Sequence, residues 1–222
     1  MNSLTLCLTK TPNFKLDCRN LTPDNLAGLS FDEINNLALN QQKNAPKIGE
    51  YFIVSGTDVD HLVLINSHQN LDYLGYKMSI GLMIVKGDCG NFLGAQMQGG
   101  TIICNGNAGD RVGDQMRRGL ILIDGDSSNY LASRMVAGTI AVYGHTGLYA
   151  GFGMKRGTLL LRHQPTFIAT IQDCGQHTLP FMQILLQSFR QLPSKFANLK
   201  ITSVRKFSGD LSCNGQGEIL IC

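Results

Sequence analysis

The sequence predicts a mainly β protein, built as a right-handed parallel β-helix of about 19-residue coils with α/β flanks at both ends. Three observations predict it: a nineteen-residue repeat without insertions, glycines at fixed positions within that repeat, and a β-rich pentapeptide at the end of each unit. Nineteen residues are too few for a βαβ unit, which needs about 30. The architecture that fits such short units is a parallel β-helix, in which coils of short strands and turns stack on one another.

The repeat is recognised by its columns of shared residues. Four consecutive units and a degenerate one before them are 88–106, 107–125, 126–144, 145–163 and 69–87. One column holds methionine throughout: Met78, Met97, Met116, Met135 and Met154. Another holds glycine throughout: Gly81, Gly100, Gly119, Gly138 and Gly157. A third holds Gly75, Gly94, Gly113, Ala132 and Gly151.

The pentapeptides alternate in the manner of strands, so that two positions per unit share one face. These positions are Met83, Ile102, Ile121, Ile140 and Leu159, followed by Val85, Cys104, Ile123, Val142 and Leu161. Together with the methionine column and a Leu/Val column, they are expected to line the interior as ladders. A methionine column could also bind a soft metal or a cofactor, but filling an irregular core is the favoured interpretation.

The segment before the repeat predicts a short α/β cap. Thr22 is a plausible N-cap with Pro23 in the first helical position. Ser30 and Glu33 form the pattern of a capping box before a second short helix. "EYFIVSG" and "DHLVLIN" then predict two strands of an incomplete first coil.

The segment after the repeat predicts one helix and two strands. "TLPFMQILLQSFRQL" (178–192) has helix-like apolar spacing and ends before Pro193, and "NLKITSVRKF" and "GEILIC" are typical of strands. Both flanks are expected to shield the open edges of the coils. The predicted division is 1–48 for the N-terminal cap, 49–163 for the β-helix repeats and 164–222 for the C-terminal helix and strands.

The glycines of "GDRVGDQMRRGLILIDG" (109–125) resemble a phosphate-binding loop at first inspection. The same glycines recur in every unit, however, and none carries the G-x-x-x-x-G-K-[ST] pattern or opens a predicted helix. An architectural role is therefore favoured over a phosphate site.

Composition excludes several function classes. The formal net charge is +3, from 19 Lys and Arg and 16 Asp and Glu, without long basic runs, so nucleic-acid binding is not expected. No apolar run reaches the roughly 18 residues of a membrane span, and no signal peptide is evident. Seven scattered cysteines indicate reduced thiols in a cytoplasmic protein. Charged residues make up only 16% of the chain, against about 25% in typical proteins, which hints at a surface covered by partners.

No arrangement typical of catalysis stands out. There is no Ser/His/Asp pattern and no metal-ligand spacing, so catalytic, cofactor-binding and metal-ligating residues are all predicted to be absent. Asp88 with Asp126, and Asp110 with Asp114, are interpreted as solvated turn residues. A basic stripe is the one outer feature that could bind something, and it comprises Arg111, Arg117, Arg118, Lys155 and Arg156.

The columns and the flanks together carry a family resemblance. The repeat G-[DN]-x-G-x-x-x-G-x-x-M-x-x-G-x-[IL]-x-[VIL]-x-G resembles the C-terminal domain of glutamate synthase and the C-type subunit of formylmethanofuran dehydrogenase. "LTPDNLAGLSFDEINNLAL" and "VRKFSGDLSCNGQGEIL" favour the second family. The resemblance covers about residues 14–222. Ser128 and Ala132 depart from it where the pattern has glycine, and these changes are expected to alter local turns but not the fold.

The resemblance implies a non-catalytic scaffold that docks enzyme subunits in a cytoplasmic hetero-oligomer. One implied host is the bacterial formyltransferase/hydrolase complex, with an amidohydrolase-like A subunit, a B-type subunit and a formyltransferase D. That complex passes a formyl group between a methanofuran analogue and tetrahydromethanopterin and releases formate. The alternatives are a molybdenum or tungsten formylmethanofuran dehydrogenase of a methanogen and a glutamate-synthase-type domain. For the basic stripe the resemblance implies a contact with an acidic partner surface or a polyglutamate coenzyme tail, beside the plainer interpretation of a solvated face.

Overall fold

Each unit of the repeat contributes one strand to a continuous parallel ladder. The computed structural model describes residues 2–222, so Met1, the first residue of the predicted N-terminal cap, lies outside the described residues. The strands of the described chain are β1 (Ser3–Leu8), β2 (Leu16–Asp17), β3 (Phe52–Ser55), β4 (Asp58–Ser67), β5 (Leu71–Asp72), β6 (Leu82–Gly87), β7 (Thr101–Cys104), β8 (Leu120–Ile123), β9 (Thr139–Val142), β10 (Thr158–Leu161), β11 (Asp173–His177), β12 (Val204–Ser208) and β13 (Glu218–Ile221). Its α-helices are α1 (Pro23–Leu26), α2 (Phe31–Asn36), α3 (Ile48–Tyr51) and α4 (Phe181–Phe189).

One sheet of eleven strands runs through the molecule in the order β11-β12-β13-β10-β9-β8-β7-β6-β4-β1-β3. From β6 to β10 the pairing is parallel, and equivalent positions of neighbouring units lie side by side, as in Ile102 with Ile121 and Ile121 with Ile140. The prediction of a mainly β fold made of stacked units is therefore confirmed.

The interior columns fill the space enclosed by the coils. All five methionines of the predicted column are fully buried, as are the two aliphatic columns. Each methionine methyl lies against a glycine of the following coil: a Cβ added to Gly119 would approach the Cε of Met97 to 2.8 Å, and one added to Gly138 would approach that of Met116 equally closely. The methionine and glycine columns therefore depend on each other, which confirms the core-filling interpretation.

Two columns of Asp and Asn join the turns of successive coils. Each side chain accepts, through Oδ1, a hydrogen bond from the backbone N–H of the equivalent residue one coil further on, over 2.7–2.9 Å. The accepting residues are Asp88, Asn107 and Asp126 in one column and Asp72, Asn91, Asp110 and Asn129 in the other. Asp88, Asp110 and Asp126 lie at the turns and keep solvent contact, as predicted, but their carboxylates also satisfy backbone donors of the next coil, which the sequence did not indicate.

These ladders also explain the glycines that end the units. A Cβ on Gly125 would lie 2.5 Å from Oδ1 of Asn107, and one on Gly144 would lie 2.2 Å from Oδ1 of Asp126. The glycine-rich stretch 109–125 therefore leaves room for the preceding coil's own side chains.

The outer face of the strands is covered by the C-terminal segment. The middle residue of four successive strands is completely buried: Ile103, Leu122, Ala141 and Leu160. They form a second apolar cluster with side chains from α4 and the following turn, including Met182, Phe189 and Phe196. Asp124 fixes that turn, because it accepts hydrogen bonds from the Ser194 hydroxyl (2.5 Å) and the Lys195 backbone N–H (2.9 Å).

The C-terminal strand supplies one more rung to the stack. β13 lies parallel to β10, with Leu159 opposite Ile219 and Leu161 opposite Ile221. The side chain of Ile219 lies against Gly151 as that of Ile140 lies against Gly113, two coils earlier. β12 and β11 then follow as antiparallel strands at this end.

The N-terminal cap begins as the sequence predicts. The Thr22 hydroxyl accepts from the Asn25 N–H, and Ser30 and Glu33 form a reciprocal capping box. β3 lies within the first predicted strand segment, and β4 contains the second and extends beyond both of its ends, but β1 has no counterpart among the predictions. It lies between β4 and β3, so the sheet extends through all three predicted segments. The predicted boundaries between the three segments, after residues 48 and 163, stay a prediction.

Candidate partner-binding groove

Four of the five basic residues of the predicted stripe line one groove. The groove lies at the corner where units 107–125, 126–144 and 145–163 meet the C-terminal turn, and its volume is about 680 Å³. Its cations are Arg117, Arg118, Lys155 and Arg156, all exposed. The C-terminal turn closes its far side with Cys213, Asn214 and Gln216.

The parallel stack fixes the spacing of the cations. Arg117 and Lys155 occupy one column with Val136 between them, while Arg118 and Arg156 occupy the next column with Ala137 between them. Because neighbouring strands are about 4.8 Å apart, the backbone positions within each column are about 9.6 Å apart. The groove therefore has an apolar floor between two pairs of cations.

No carboxylate neutralises these cations within residues 2–222. None of the four forms an ion pair there, and the one further contact is a hydrogen bond that the Arg156 Nε donates to Gln216 Oε1 over 2.8 Å. An unpaired cationic groove attracts anions through its field, most strongly at low ionic strength.

A second cavity of about 530 Å³ continues the groove past Phe152. It shares Arg117, Val136 and Lys155 with the first and adds Gln115 and Arg134. Arg134 is engaged by Asp114, a carboxylate only 3% exposed that also accepts from the Ser133 hydroxyl over 2.6 Å. The interpretation of Asp114 as a solvated turn residue is therefore wrong.

Asp210 lies beneath the same cavity and binds the C-terminal turn to the last coil. It is 1% exposed, and it accepts the Gly153 N–H at 2.7 Å, the Ser212 hydroxyl at 2.7 Å and the Ser212 N–H at 3.0 Å. Burial acts to raise the pKa of this carboxyl, but the hydrogen bonds from Ser212 and Gly153 outweigh it, and the pKa lies below its ordinary value. Asp210 is thus a structural anion whose acceptor capacity is used internally.

Arg111, the fifth predicted residue, lies elsewhere. Its guanidinium is 4.5 Å from the centroid of the Tyr130 ring, in a turn column whose members all have φ near +60°. That column runs Tyr73, Phe92, Arg111, Tyr130 and Tyr149. Tyr73 stacks on Phe92 at 4.5 Å and Tyr130 on Tyr149 at 4.8 Å. Arg111 therefore continues an aromatic stack and does not line the groove.

Within residues 2–222, no three His, Cys, Asp or Glu side chains are placed to hold a metal ion. In the same range no helix is long and apolar enough to cross a membrane. The groove's donors are guanidinium, ammonium and amide groups, which suit the binding of carboxylates or phosphates.

The C-terminal side of the groove is not visible in the repeat. Cys213 and Gln216 of the groove, and Asp210 of the adjoining cavity, lie 47–53 residues after the end of unit 145–163, outside the repeat. The one signal that could have placed them is the G-x-G-E of Gly215, Gly217 and Glu218, which imitates the end of a coil.

Comparisons with known proteins are consistent with this architecture. No family model matches the chain. The C-type subunit of the tungsten-containing formylmethanofuran dehydrogenase 2 of Methanothermobacter wolfeii is 33% identical over 100 residues, which is 43% of this chain and 37% of that protein. The C-type subunit of the formyltransferase/hydrolase complex of Methylorubrum extorquens is 34% identical over 79 residues, or 36% of this chain and 30% of that protein. The matched regions thus span only about a third of these relatives, 37% of one and 30% of the other.

A solved structure covers far more of the molecule. A chain in the crystal structure of the formyltransferase/hydrolase complex (FhcABCD) from Methylorubrum extorquens, determined with methylofuran, superposes with a TM-score of 0.62. It is 30% identical, and the match covers 98% of both chains. The chain therefore belongs to the family of C-type subunits of formylmethanofuran dehydrogenases and formyltransferase/hydrolase complexes.

Proposed function

We propose that the chain is a non-catalytic structural subunit of a formyltransferase/hydrolase complex in methylotrophic one-carbon metabolism. That complex would transfer a formyl group between a methanofuran-type coenzyme and tetrahydromethanopterin and release formate. The observation that carries the proposal is the match over 98% of both chains to a member of FhcABCD. The groove supports it, because its exposed cations suit a docking role.

The partners in this proposal are an amidohydrolase-like A subunit, a B-type subunit and a formyltransferase D, assembled in the cytoplasm as a hetero-oligomer. The C-type subunit of a tungsten or molybdenum formylmethanofuran dehydrogenase is the second candidate. The 33% identity to the Methanothermobacter wolfeii protein over 100 residues favours it. The near-complete structural match favours the first.

Purification of the tagged chain from its native cells tests the proposal. We expect larger subunits to co-purify in fixed ratio, with a formyltransferase among them and without iron–sulfur clusters or molybdopterin. Partners that carry those groups would select the dehydrogenase. Recovery of the chain alone, folded and monomeric, would contradict both candidates.

We further propose that the basic stripe Arg111, Arg117, Arg118, Lys155 and Arg156 contacts an anion, either an acidic partner surface or a polyglutamate coenzyme tail. Four of these side chains line the groove, whereas Arg111 lies outside it, over the Tyr130 ring. Their unpaired charge supports the proposal.

Charge reversal tests the contact. In the double variant Arg118→Glu with Arg156→Glu, we expect partner or coenzyme affinity to fall about tenfold or more at low salt, because two attractive charges become repulsive. The loss should shrink as ionic strength rises. Arg190→Glu with Lys200→Glu, an equal change in net charge at exposed residues outside the groove, is the matched control. Equal behaviour of the two pairs would retire the proposal.

A further inference from the structure

Exposed apolar side chains concentrate beside the groove. Of the eleven large apolar residues exposed in the described chain, Val136, Tyr149 and Phe152 gather here. Leu148 precedes Tyr149 in the sequence, and Leu211 lies between Asp210 and Ser212 of the cavity lining. Phe152 is 45% exposed and Tyr149 is 42% exposed. Such a cluster on a chain of low charge marks a surface that another molecule covers.

Aromatic rings give this cluster a defined shape. Tyr130 stacks on Tyr149 at 4.8 Å and meets Phe152 edge-on at 6.0 Å. We call Tyr130, Tyr149 and Phe152 the aromatic platform. Phe152 lines the same cavity as Arg117 and Lys155, so the platform and the cationic groove are one continuous surface.

The charges of this surface decide what can cover it. A second copy of the chain docked here about a two-fold axis would place the same four cations opposite each other. Like charges brought together at an interface are strongly unfavourable. A partner that supplies carboxylates to the cations and a ring to the platform satisfies both parts of the surface.

We propose that the platform and groove together bind an acidic segment of a different protein, in which an aromatic or large aliphatic side chain packs against Phe152 and Tyr149. Carboxylates of that segment pair with Arg117 and Lys155 on either side of Val136. Aromatic and arginine side chains at the centre of an interface carry most of its binding energy. This inference rests on the proposed function, since it names the chemistry of the partner at the same site.

Truncation of the platform tests the energetic role of Phe152. In tagged chains expressed in the native cells, Phe152→Ala is expected to weaken the partner at least about 25-fold, as for a central anchor residue. The partner retained per chain is measured by quantitative mass spectrometry across a dilution series. Phe31→Ala is the matched control, because Phe31 is 53% exposed and lies in the N-terminal cap, on α2. Thermal unfolding of both variants establishes that each is folded.

A photo-crosslinking residue at position 152 identifies the occupant. We expect the cross-linked peptide to come from another subunit and to contain Asp or Glu beside an aromatic or large aliphatic residue. Cross-links to a second copy of this chain, or unchanged retention by Phe152→Ala relative to Phe31→Ala, would overturn the inference. If wild-type chain is recovered without partners, the proposed function fails as well, whereas a wild-type complex that tolerates Phe152→Ala contradicts only the inference.

Discussion

Gly113→Ala is expected to destabilise the protein by about 2–4 kcal/mol, since it combines two separate costs. Gly113 has φ +65°, where an L side chain is strained. Its new Cβ would also lie 2.2 Å from the Cδ1 of Ile140, a fully buried side chain of the next coil. Urea unfolding measures the change in the free energy of unfolding.

Gly175→Ala separates the two costs. Gly175 has φ +86° but nothing within 4 Å of an added Cβ, so it reports backbone strain alone. We expect it to cost about 1 kcal/mol. Ile140→Val removes the clashing Cδ1, so the double variant with Gly113→Ala should be more stable than the two single changes predict by addition. Equal losses of unfolding free energy in Gly113→Ala and Gly175→Ala would contradict the steric contact proposed at Gly113.

The chain itself contains the related exchange. Ala132 stands in the glycine column, and the position that corresponds to Ile140 for this coil is Leu159. Where the column keeps glycine, an isoleucine Cδ1 faces it, as from Ile102, Ile121, Ile140 and Ile219. Alanine thus stands in this column only where the corresponding position holds leucine and not isoleucine.

Asp210→Ala is expected to cost about 3 kcal/mol at neutral pH, because the buried N–H of Gly153 loses its acceptor and the turn at Ser212 loses two hydrogen bonds. For a chain of this size the midpoint of thermal unfolding should fall by about 6–12 °C. Asp210→Asn keeps one acceptor oxygen and the side-chain volume, so its cost should be clearly smaller.

The cost should also depend on pH. The folded-state pKa of Asp210 lies below its ordinary value. Its stabilising contribution is therefore present in full above the pKa of the unfolded chain, about 3.9, and is lost as pH falls through the folded-state pKa. The gap between wild type and Asp210→Ala should narrow below about pH 4. A gap that stays constant down to about pH 2.5 would contradict the role of the ionised carboxylate.

The fold was predictable because stacking repeats the same local problem five times. Five methionines at one spacing indicated the ladder, and alternation in the pentapeptides placed Ile121 and Ile123 inside correctly. The outer face was harder to predict: Leu122 and Leu160 are apolar on the side opposite the interior, a pattern that signals a cover without naming it. α4 provides that cover through contacts distant in sequence.

The candidate site was predictable only where its residues belong to the repeat. Arg117, Arg118, Lys155 and Arg156 share columns, and columns become neighbours in a regular stack. Arg111 was grouped with them by sequence proximity, but the turn gives its side chain a different direction, over Tyr130. Asp210 and Gln216 reach the groove through a return of the chain that no local pattern specifies.

The return of β13 to the stack has a consequence for how the protein is made. Thr158 on β10 meets Glu218, its neighbour on β13, 60 residues later in the chain. At translation rates of about 5–20 residues per second, the edge of β10 stays unpaired for about 3–12 s after the coil has been synthesised. Pairings so distant in sequence form slowly, and open edges invite association with other chains. During synthesis β13 follows β10 off the ribosome, so the β10 edge is open to misassociation in that interval.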